Sequence, residues 1–313
     1  TLYIKKNPVL TGVETGFSDF GRGEEGMKKS TSCMLQINTA VLLFGFSGVL
    51  GKDIALPAVL ITLGRVVFSS LVLFLFLKAR KTSIHIGSRR DGLAFLAMGA
   101  LLAVHWTAFI YAIQLSSVAI GVITAATFPL FAAFLEPIFF SERVTPLNIL
   151  VSLIMIGGVA ILVPMDALDG NIAMGVAYGM FANLAYTVLS LVNRWFAKRY
   201  TGGVISFYEQ GIAAIVLLPV LFFVPFSCSV QTIGELAVYG VVCTAISHSL
   251  FINGLQGVTV QTASILDGLE TVYGILFAFF ILGAVPSGRE IIGGLIIVVT
   301  AVASSVYKAR RNP

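Results

Sequence analysis

Two acidic residues lie inside an apolar run in the segment SILDGLETVYG, residues 264–274. On a helical wheel, Asp267 and Glu270 share one face with Ser264 and Thr271, while the opposite face is aliphatic. A charged side chain at the centre of a bilayer costs about 2.5 to 3.5 kcal/mol, so this face should line a cavity or meet a polar partner. Such a face could bind a polar solute or carry a proton.

A second polar face is predicted for residues 171–193. Asn183, Tyr186, Ser190 and Asn193 follow one another at steps of three, four and three residues, which places them on one side of a helix. Because polar residues avoid lipid, we expect this side to line the same cavity.

Three further side chains could act in such a cavity. His248 could relay protons near neutral pH, although a hydrogen-bonded contact between helices is the simpler interpretation. Trp106 could stack on a solute or a cation, or it could fill the core. Arg65 is expected at a depth similar to that of Glu270, so a structural ion pair between them is an alternative to a transport role.

The predicted site combines these faces. A hinge is added at Pro129, because proline removes a backbone hydrogen bond and permits a helix to bend. We predict solute contacts for Trp106, Tyr186, His248 and Asp267, polar support or an ion pair from Arg65 and Glu270, and a cavity lining of Asn183, Ser190, Asn193, Ser264 and Thr271.

These residues must be positioned by membrane-spanning helices. The chain of 313 residues is 57% hydrophobic with a mean hydropathy of +0.95, whereas a soluble domain is about 45 to 50% apolar. Its apolar runs are continuous rather than alternating, which indicates helices and not a strand barrel. Spans of about 20 residues predict an all-α membrane protein with ten transmembrane helices near 35–51, 57–77, 92–113, 117–140, 147–163, 171–193, 203–224, 232–253, 258–282 and 290–307.

The basic residues predict the orientation of these helices. With a cytoplasmic N-terminus, fourteen lysines and arginines fall in cytoplasmic segments, and only Lys52 and Arg289 fall outside. We therefore expect both termini to be cytoplasmic, in a bacterial inner (plasma) membrane.

Composition argues against several other classes. The three cysteines lack the spacing of a disulfide framework or a thiolate metal site. The histidines His85, His105 and His248 show no metal-ligand spacing, so no metal and no cofactor is predicted. The net charge of +5 comes largely from loop residues that membrane topology requires, so a nucleic-acid partner is rejected.

The first 26 residues do not fit the membrane pattern. They are polar and glycine-rich, and they precede Met27-Lys28-Lys29, which resembles a natural start. We expect residues 1–34 to be a polar leader that is disordered or partly translated upstream sequence.

An internal repeat is visible at an offset of 142 residues. This offset aligns HSLFINGLQGVTV (248–260) with WTAFIYAIQLSSV (106–118). We therefore predict two five-helix repeats, residues 35–163 and 171–307, followed by a basic tail at 308–313. Because five is odd, the second repeat enters the membrane in the opposite direction, and such inverted repeats bind solutes at their interface.

Two strings match a known family pattern. They are HWTAFIYAIQLSSVAIGVITAATFPLFAAFLEPIFFSERVTP (105–146) and ISFYEQGIAAIVLLP (205–219). Together with the five-plus-five layout, they make the chain resemble the EamA family of the drug/metabolite transporter superfamily over about residues 36–307. The chain departs from the family at Thr271, where a proline is common. The resemblance implies a multi-pass carrier of small metabolites that alternates access to a central cavity.

We therefore predict a secondary transporter of amino acids, amines or related small metabolites. Export is the expected direction, proton coupling is left open, and the protein would act in the lipid bilayer as a monomer or dimer. One alternative is a rhomboid-type intramembrane protease, in which Ser47 of a G-x-S-G motif is the nucleophile and His248 its base. An inverted repeat has no role in that chemistry, so we expect no enzyme. A passive channel with the same polar faces is the other alternative.

Overall fold

The computed structural model describes most of the chain, namely residues 30–47, 50, 54–116, 124–140, 145–162, 172–225, 227–283 and 285–311. The predictions made for the leader at 1–29 and for the loop at Lys52 lie outside these residues.

The described regular structure is helical, and no strand occurs among the described residues. The helices are α1 (30–47), α2 (Ala58–Ala79), α3 (Arg89–Leu115), α4 (Phe128–Phe140), α5 (Pro146–Leu162), α6 (Ile172–Phe196), α7 (Gly202–Leu217, extended by a 3-10 turn Leu218–Phe222), α8 (Val230–Gly254), α9 (Val260–Asp267 and Leu269–Leu282) and α10 (Gly288–Arg311). Among the described residues, α2, α3, α6, α7, α8 and α9 are long and apolar enough to cross a bilayer, and α4 and α5 are shorter apolar helices. The protein is therefore an all-helical membrane protein.

Three helices depart from the simple spans that were predicted. α4 begins at Phe128 after a turn at residues 126–127, so Pro129 lies in its first turn, where a missing N–H breaks no hydrogen bond. α8 contains a π-helical turn, Val241–Ile246, and α9 is interrupted at Gly268. In membrane proteins such irregular turns are tolerated against other protein segments, and π turns are frequent at functional sites.

The helices of the two halves pair in an ordered way. Equivalent helices of the two repeats pack on one another, since α2 contacts α7, α4 contacts α9 and α5 contacts α10. The contact of α3 with α7 has its counterpart in the contact of α8 with α2. Exchanging the two halves therefore preserves the contacts, which is the packing expected of a duplicated unit.

In each half, a side-chain amide joins the end of the third helix to the start of the second, and we call this contact an amide clamp. The Gln114 side chain accepts a hydrogen bond from the Ala58 N–H at 3.0 Å and donates one to the Leu56 carbonyl at 2.9 Å. This ties the end of α3 to the start of α2. The Asn253 side chain accepts from the Gly202 N–H at 2.7 Å and ties the end of α8 to the start of α7. Each clamp satisfies backbone groups that a helix start leaves unpaired.

Candidate functional site

A buried arginine of α2 lies against two aromatic rings. Arg65 is 6% exposed, and its guanidinium carbon lies 4.0 Å from the ring centroid of Trp106 and 4.5 Å from that of Tyr239. Its Nε donates a hydrogen bond to the Thr244 hydroxyl at 3.0 Å, and one Nη approaches the Tyr239 hydroxyl at 3.5 Å. A desolvated cation–π contact is worth about 2 kcal/mol, so the two rings stabilise the cation in place.

The π-helical turn of α8 brings Thr244 to this arginine. Gly240 precedes the turn, and a Cβ at this position would lie 2.7 Å from the Arg65 carbonyl oxygen. Because glycine has no side chain, α8 approaches α2 closely here. The Thr244 hydroxyl donates to the Tyr239 carbonyl at 3.0 Å, five residues back in the π turn, and its oxygen accepts the Arg65 hydrogen bond.

A buried acid and base form a pair in the second half of the chain. The Nε2 atom of His248 on α8 lies 2.8 Å from Oε2 of Glu209 on α7, and the two side chains are 1% and 0% exposed. Within the described residues, the Glu209 Oε1 and His248 Nδ1 atoms have no hydrogen-bond partner. Ionisable groups inside membrane helices are rare and mark proton or solute pathways, so this pair is a candidate for one.

Arg65 and Glu209 each pack against a glycine of the opposite half. An added Cβ on Gly240 of α8 would meet the Arg65 carbonyl and the side chain three residues later. An added Cβ on Gly99 of α3 would meet the Glu209 carbonyl at 2.8 Å and, again, the side chain three residues later. The same glycine contact is therefore made twice, once on each charged residue.

The two halves of the site touch through Trp106 and His248. The 142-residue offset aligns these two residues, and their ring centroids lie 5.5 Å apart in an edge-to-face contact. Contacts thus run from Arg65 to Trp106, from Trp106 to His248 and from His248 to Glu209. We call these four residues the central quartet. It joins a cation and an aromatic ring in the first half to a base and an acid in the second.

Tyr186 lies beside the central quartet rather than within it. Its ring is buried and stacks on His105 with the ring centroids 4.6 Å apart, and it also lies 5.0 Å from the ring of Phe128. Nδ1 of His105 lies 2.7 Å from the Ala182 carbonyl oxygen. His105 is therefore a contact between α3 and α6.

The predicted polar stripe of α6 is buried. The Asn183 amide donates to the Gly179 carbonyl of its own helix at 2.8 Å. Ser190 is 1% exposed and lies beside Tyr186, and Asn193 is likewise 1% exposed. The stripe faces protein as expected, and its role as a cavity lining stays a prediction.

The two acids of α9 lie on either side of its interruption. Asp267 and Glu270 are half-buried, and neither forms an ion pair within the described residues. The ion pair expected between Arg65 and Glu270 is therefore not formed there, because Arg65 turns to the rings and to the π turn of α8. The Ser264 hydroxyl donates a hydrogen bond to the Gln261 carbonyl of its own helix. Thr271 is half-buried.

A buried acid of α4 holds the start of α9. The Glu136 carboxylate accepts hydrogen bonds from the backbone N–H groups of Val260 at 2.5 Å and Gln261 at 2.9 Å. It also forms a 2.7 Å ion pair with Arg194 at the end of α6. Helix starts favour negative charge, so Glu136 caps α9 across the contact between the two halves.

The serine of the protease alternative has a local partner. The Ser47 hydroxyl donates to the Phe44 carbonyl at 2.6 Å, while Nε2 of His248 is paired with Glu209. Ser47 and His248 therefore do not form the nucleophile–base contact that a serine protease needs.

The sequence analysis missed Glu209 and the cap made by Glu136. Glu209 lies next to Gln210 inside the apolar string ISFYEQGIAAIVLLP, and an acid within a membrane span is a signal that could have found it. The neighbouring Gln210 accepts a hydrogen bond from the Ser69 hydroxyl of α2. The capping role of Glu136 depends on a contact 124 residues away, which local spacing does not reveal.

Known transporters and a solved structure are similar to this chain. The EamA-like transporter family matches it twice, at residues 31–163 and 173–306. An uncharacterised transporter of Archaeoglobus fulgidus is 28% identical over 60% of this chain and 67% of its own length. An S-adenosylmethionine uptake transporter of Rickettsia conorii is 25% identical over 76% of this chain and 79% of its own length. A crystal structure with 20% identity superposes with a TM-score of 0.77 over 90% of this chain and 98% of that chain, so the fold is shared.

Proposed function

Because this chain belongs to the EamA-like transporter family, we propose that it is a secondary transporter that carries a small metabolite by alternating access between its two halves. In such transporters, the solute binds near the membrane midplane at the interface between the repeats. The single observation that carries the proposal is the central quartet, which places buried charges where equivalent helices of the two halves meet.

The proposed topology has ten spans arranged as two inverted five-helix repeats, with both termini in the cytoplasm of a bacterial cell and the spans in its inner membrane. The positions of the amide clamps support it. The Gln114 clamp joins the end of α3 to the start of α2, and the Asn253 clamp joins the end of α8 to the start of α7. With an inverted second half, these equivalent clamps fall on opposite sides of the membrane.

We propose that the substrate is an amino acid, an amine or a related compound. The cation of Arg65, the acid of Glu209 and the ring of Trp106 together suit a small solute that is both charged and partly apolar. The Rickettsia conorii relative is an S-adenosylmethionine uptake transporter, so S-adenosylmethionine is a reasonable first solute to test. Export stays our expectation for the direction, and flux must be measured both ways.

Proton coupling is proposed for the pair of His248 and Glu209. His248 was expected to relay protons, and in the structure Glu209 is the acid that contacts it. The other ionisable groups around the site are Arg65 on α2, His105 on α3, Tyr186 on α6, Tyr239 on α8, and Asp267 and Glu270 on α9. A group that binds a proton when the cavity is open to one side of the membrane and releases it when the cavity is open to the other could drive accumulation of the solute.

The test is solute flux in proteoliposomes that contain only the purified protein. Uptake of S-adenosylmethionine, amino acids and amines should saturate with concentration, and preloaded solute should accelerate it by exchange. Flux that rises linearly and shows no exchange would indicate a passive channel instead.

A matched pair of tryptophan variants connects the flux to the site. Trp106→Ala should lower the flux at least about tenfold, since it removes a ring that contacts both Arg65 and His248. Trp195→Ala changes a tryptophan that is 51% exposed and should leave the flux unchanged. Equal flux in both variants would remove the central quartet from the proposal.

A further inference from the structure

We propose that Arg65 binds a carboxylate of the transported solute. The substrate is then a carboxylate-bearing metabolite, and simple amines are excluded. This inference rests on the proposed transport function and narrows its substrate class.

The guanidinium of Arg65 has more N–H donors than the described residues satisfy. An arginine side chain carries five N–H donors. Among the described residues, its hydrogen bonds are the one from Nε to Thr244 and the long one from an Nη to Tyr239. Both acceptors are neutral hydroxyls. No carboxylate of the described chain lies within ion-pair distance of Arg65.

A buried cation without an anion is costly in a membrane protein. Arg65 is 6% exposed and lies about two turns into α2, away from the helix start at Ala58. A charge that is buried without a paired anion loses hydration that only a strong partner restores. A carboxylate of the solute would restore it, and two Nη groups can hold its two oxygens at once.

The aromatic contacts prepare Arg65 for such a ligand without neutralising it. Cation–π contacts use the faces of the Trp106 and Tyr239 rings, and they leave the charge of the guanidinium intact. The N–H groups of the guanidinium point in its own plane, so they stay available to an anion. Arg65 is therefore fixed in place and still able to bind.

The nearby acids do not take this role. The Oε2 atom of Glu209 is held by His248 at 2.8 Å, and Glu270 forms no ion pair with Arg65 in the described part of the chain. In the second half, Glu209 makes the corresponding glycine contact, and its carboxylate is paired with His248. In the first half, Arg65 forms no ion pair with any described residue, and this asymmetry points to a negatively charged solute group.

The experiment compares solutes that differ only in the carboxylate. Wild-type proteoliposomes are given S-adenosylmethionine and decarboxylated S-adenosylmethionine, and then each of the common amino acids with its carboxamide. Loss of a buried charge pair typically costs about 2 kcal/mol or more, so removal of the carboxylate should lower uptake at least about 30-fold. Equal uptake of the two members of a pair would overturn the inference and leave the transporter proposal standing. Absence of flux for the whole panel would instead overturn the proposed function, and the inference with it.

Variants assign the discrimination to Arg65. Arg65→Gln should carry the carboxylate and carboxamide forms at similar rates, and Arg65→Lys should keep part of the preference because it keeps the charge. Arg289→Gln, at an exposed position at the start of α10, is the matched control and should discriminate like the wild type. Full discrimination in Arg65→Gln would overturn the assignment. If Arg65→Gln does not fold, the wild-type solute series still tests whether a carboxylate is required, and Arg65→Lys still tests whether Arg65 recognises it.

Discussion

Arg65 and Glu209 make the same packing contact in the two halves of the protein, each with a glycine of the third helix of the opposite half. This glycine contact thus involves a cation in the first copy and an acid in the second. The backbone packing is conserved between the copies while the chemistry is reversed, so the site between them has a positive and a negative side. A symmetric pair of like charges would repel and could not hold a dipolar solute.

The acid of this pair should govern proton coupling. In Glu209→Gln, uptake should lose its response to an imposed pH gradient while exchange of solute continues, because a glutamine can still accept a hydrogen bond but cannot release a proton. Uptake and exchange are measured in the same proteoliposomes. Glu235→Gln, outside the central quartet on α8, is the matched control. A normal gradient response in Glu209→Gln would show that the coupling proton is elsewhere.

Asp267 is the competing candidate for the coupling proton. It is half-buried at the interruption of α9, with no ion pair in the described chain. If Asp267 carries the proton, Asp267→Asn should abolish the gradient response and Glu209→Gln should not. We expect the reverse, because Glu209 contacts His248. The same flux assay on the two variants separates the alternatives.

The close approach at Gly240 should be essential for the site. In Gly240→Ala the new Cβ would lie 2.7 Å from the Arg65 carbonyl oxygen, and such overpacking costs about 1 to 3 kcal/mol. Thermal unfolding in detergent should show lower stability, and flux should fall because Thr244 is displaced from Arg65. Gly234→Ala lies on the same helix with open space around it and serves as the control. Equal stability of both variants would contradict the proposed packing role.

The cap of α9 should contribute strongly to stability. Glu136→Gln or Arg194→Gln breaks the ion pair between these side chains, which are 3% and 16% exposed, and breaking a buried pair costs about 3 to 5 kcal/mol. The double variant should recover part of this loss, since no lone charge remains. Thermal unfolding of the four proteins gives the coupling directly. Additive losses would mean that the two residues act independently.

The hydroxyl of Ser47 should be dispensable. It donates to a carbonyl of its own helix, so Ser47→Ala should change stability by no more than about 0.5 kcal/mol and leave the flux intact. Incubation with a membrane-protein substrate tests the protease alternative at the same time. Cleavage that is present in the wild type and lost in Ser47→Ala would revive that alternative.

Much of the fold could be predicted from the sequence, since long apolar runs and a constant offset are properties of the chain itself. The all-helical architecture and the family were predicted correctly. The interruptions were harder to predict, because the π turn of α8 follows Gly240 at a close contact with another helix. A glycine inside an apolar run does not reveal which helix it approaches.

The site was only partly predictable, because partners depend on contacts between distant helices. Trp106 and His248 were named from the sequence and do lie together. The expected partner of Arg65 was chosen by depth alone, and depth does not fix the direction in which a side chain turns. Tyr186 lies next to the quartet through His105, a link that spacing along one helix cannot provide.

The amide clamps described above have a mechanical consequence. Gln114 and Asn253 fasten one end of each helical hairpin, and in the proposed topology these fastened ends face opposite compartments. Because the chain itself joins the two helices of each hairpin at the opposite end, each hairpin is held at both ends, and we expect it to move as one unit. We expect the two hairpins to stay in contact where Gly99 packs on Glu209 and Gly240 packs on Arg65, and to tilt against each other about these contacts. A single copy would provide one such hairpin, and duplication provides the second hairpin against which it can tilt.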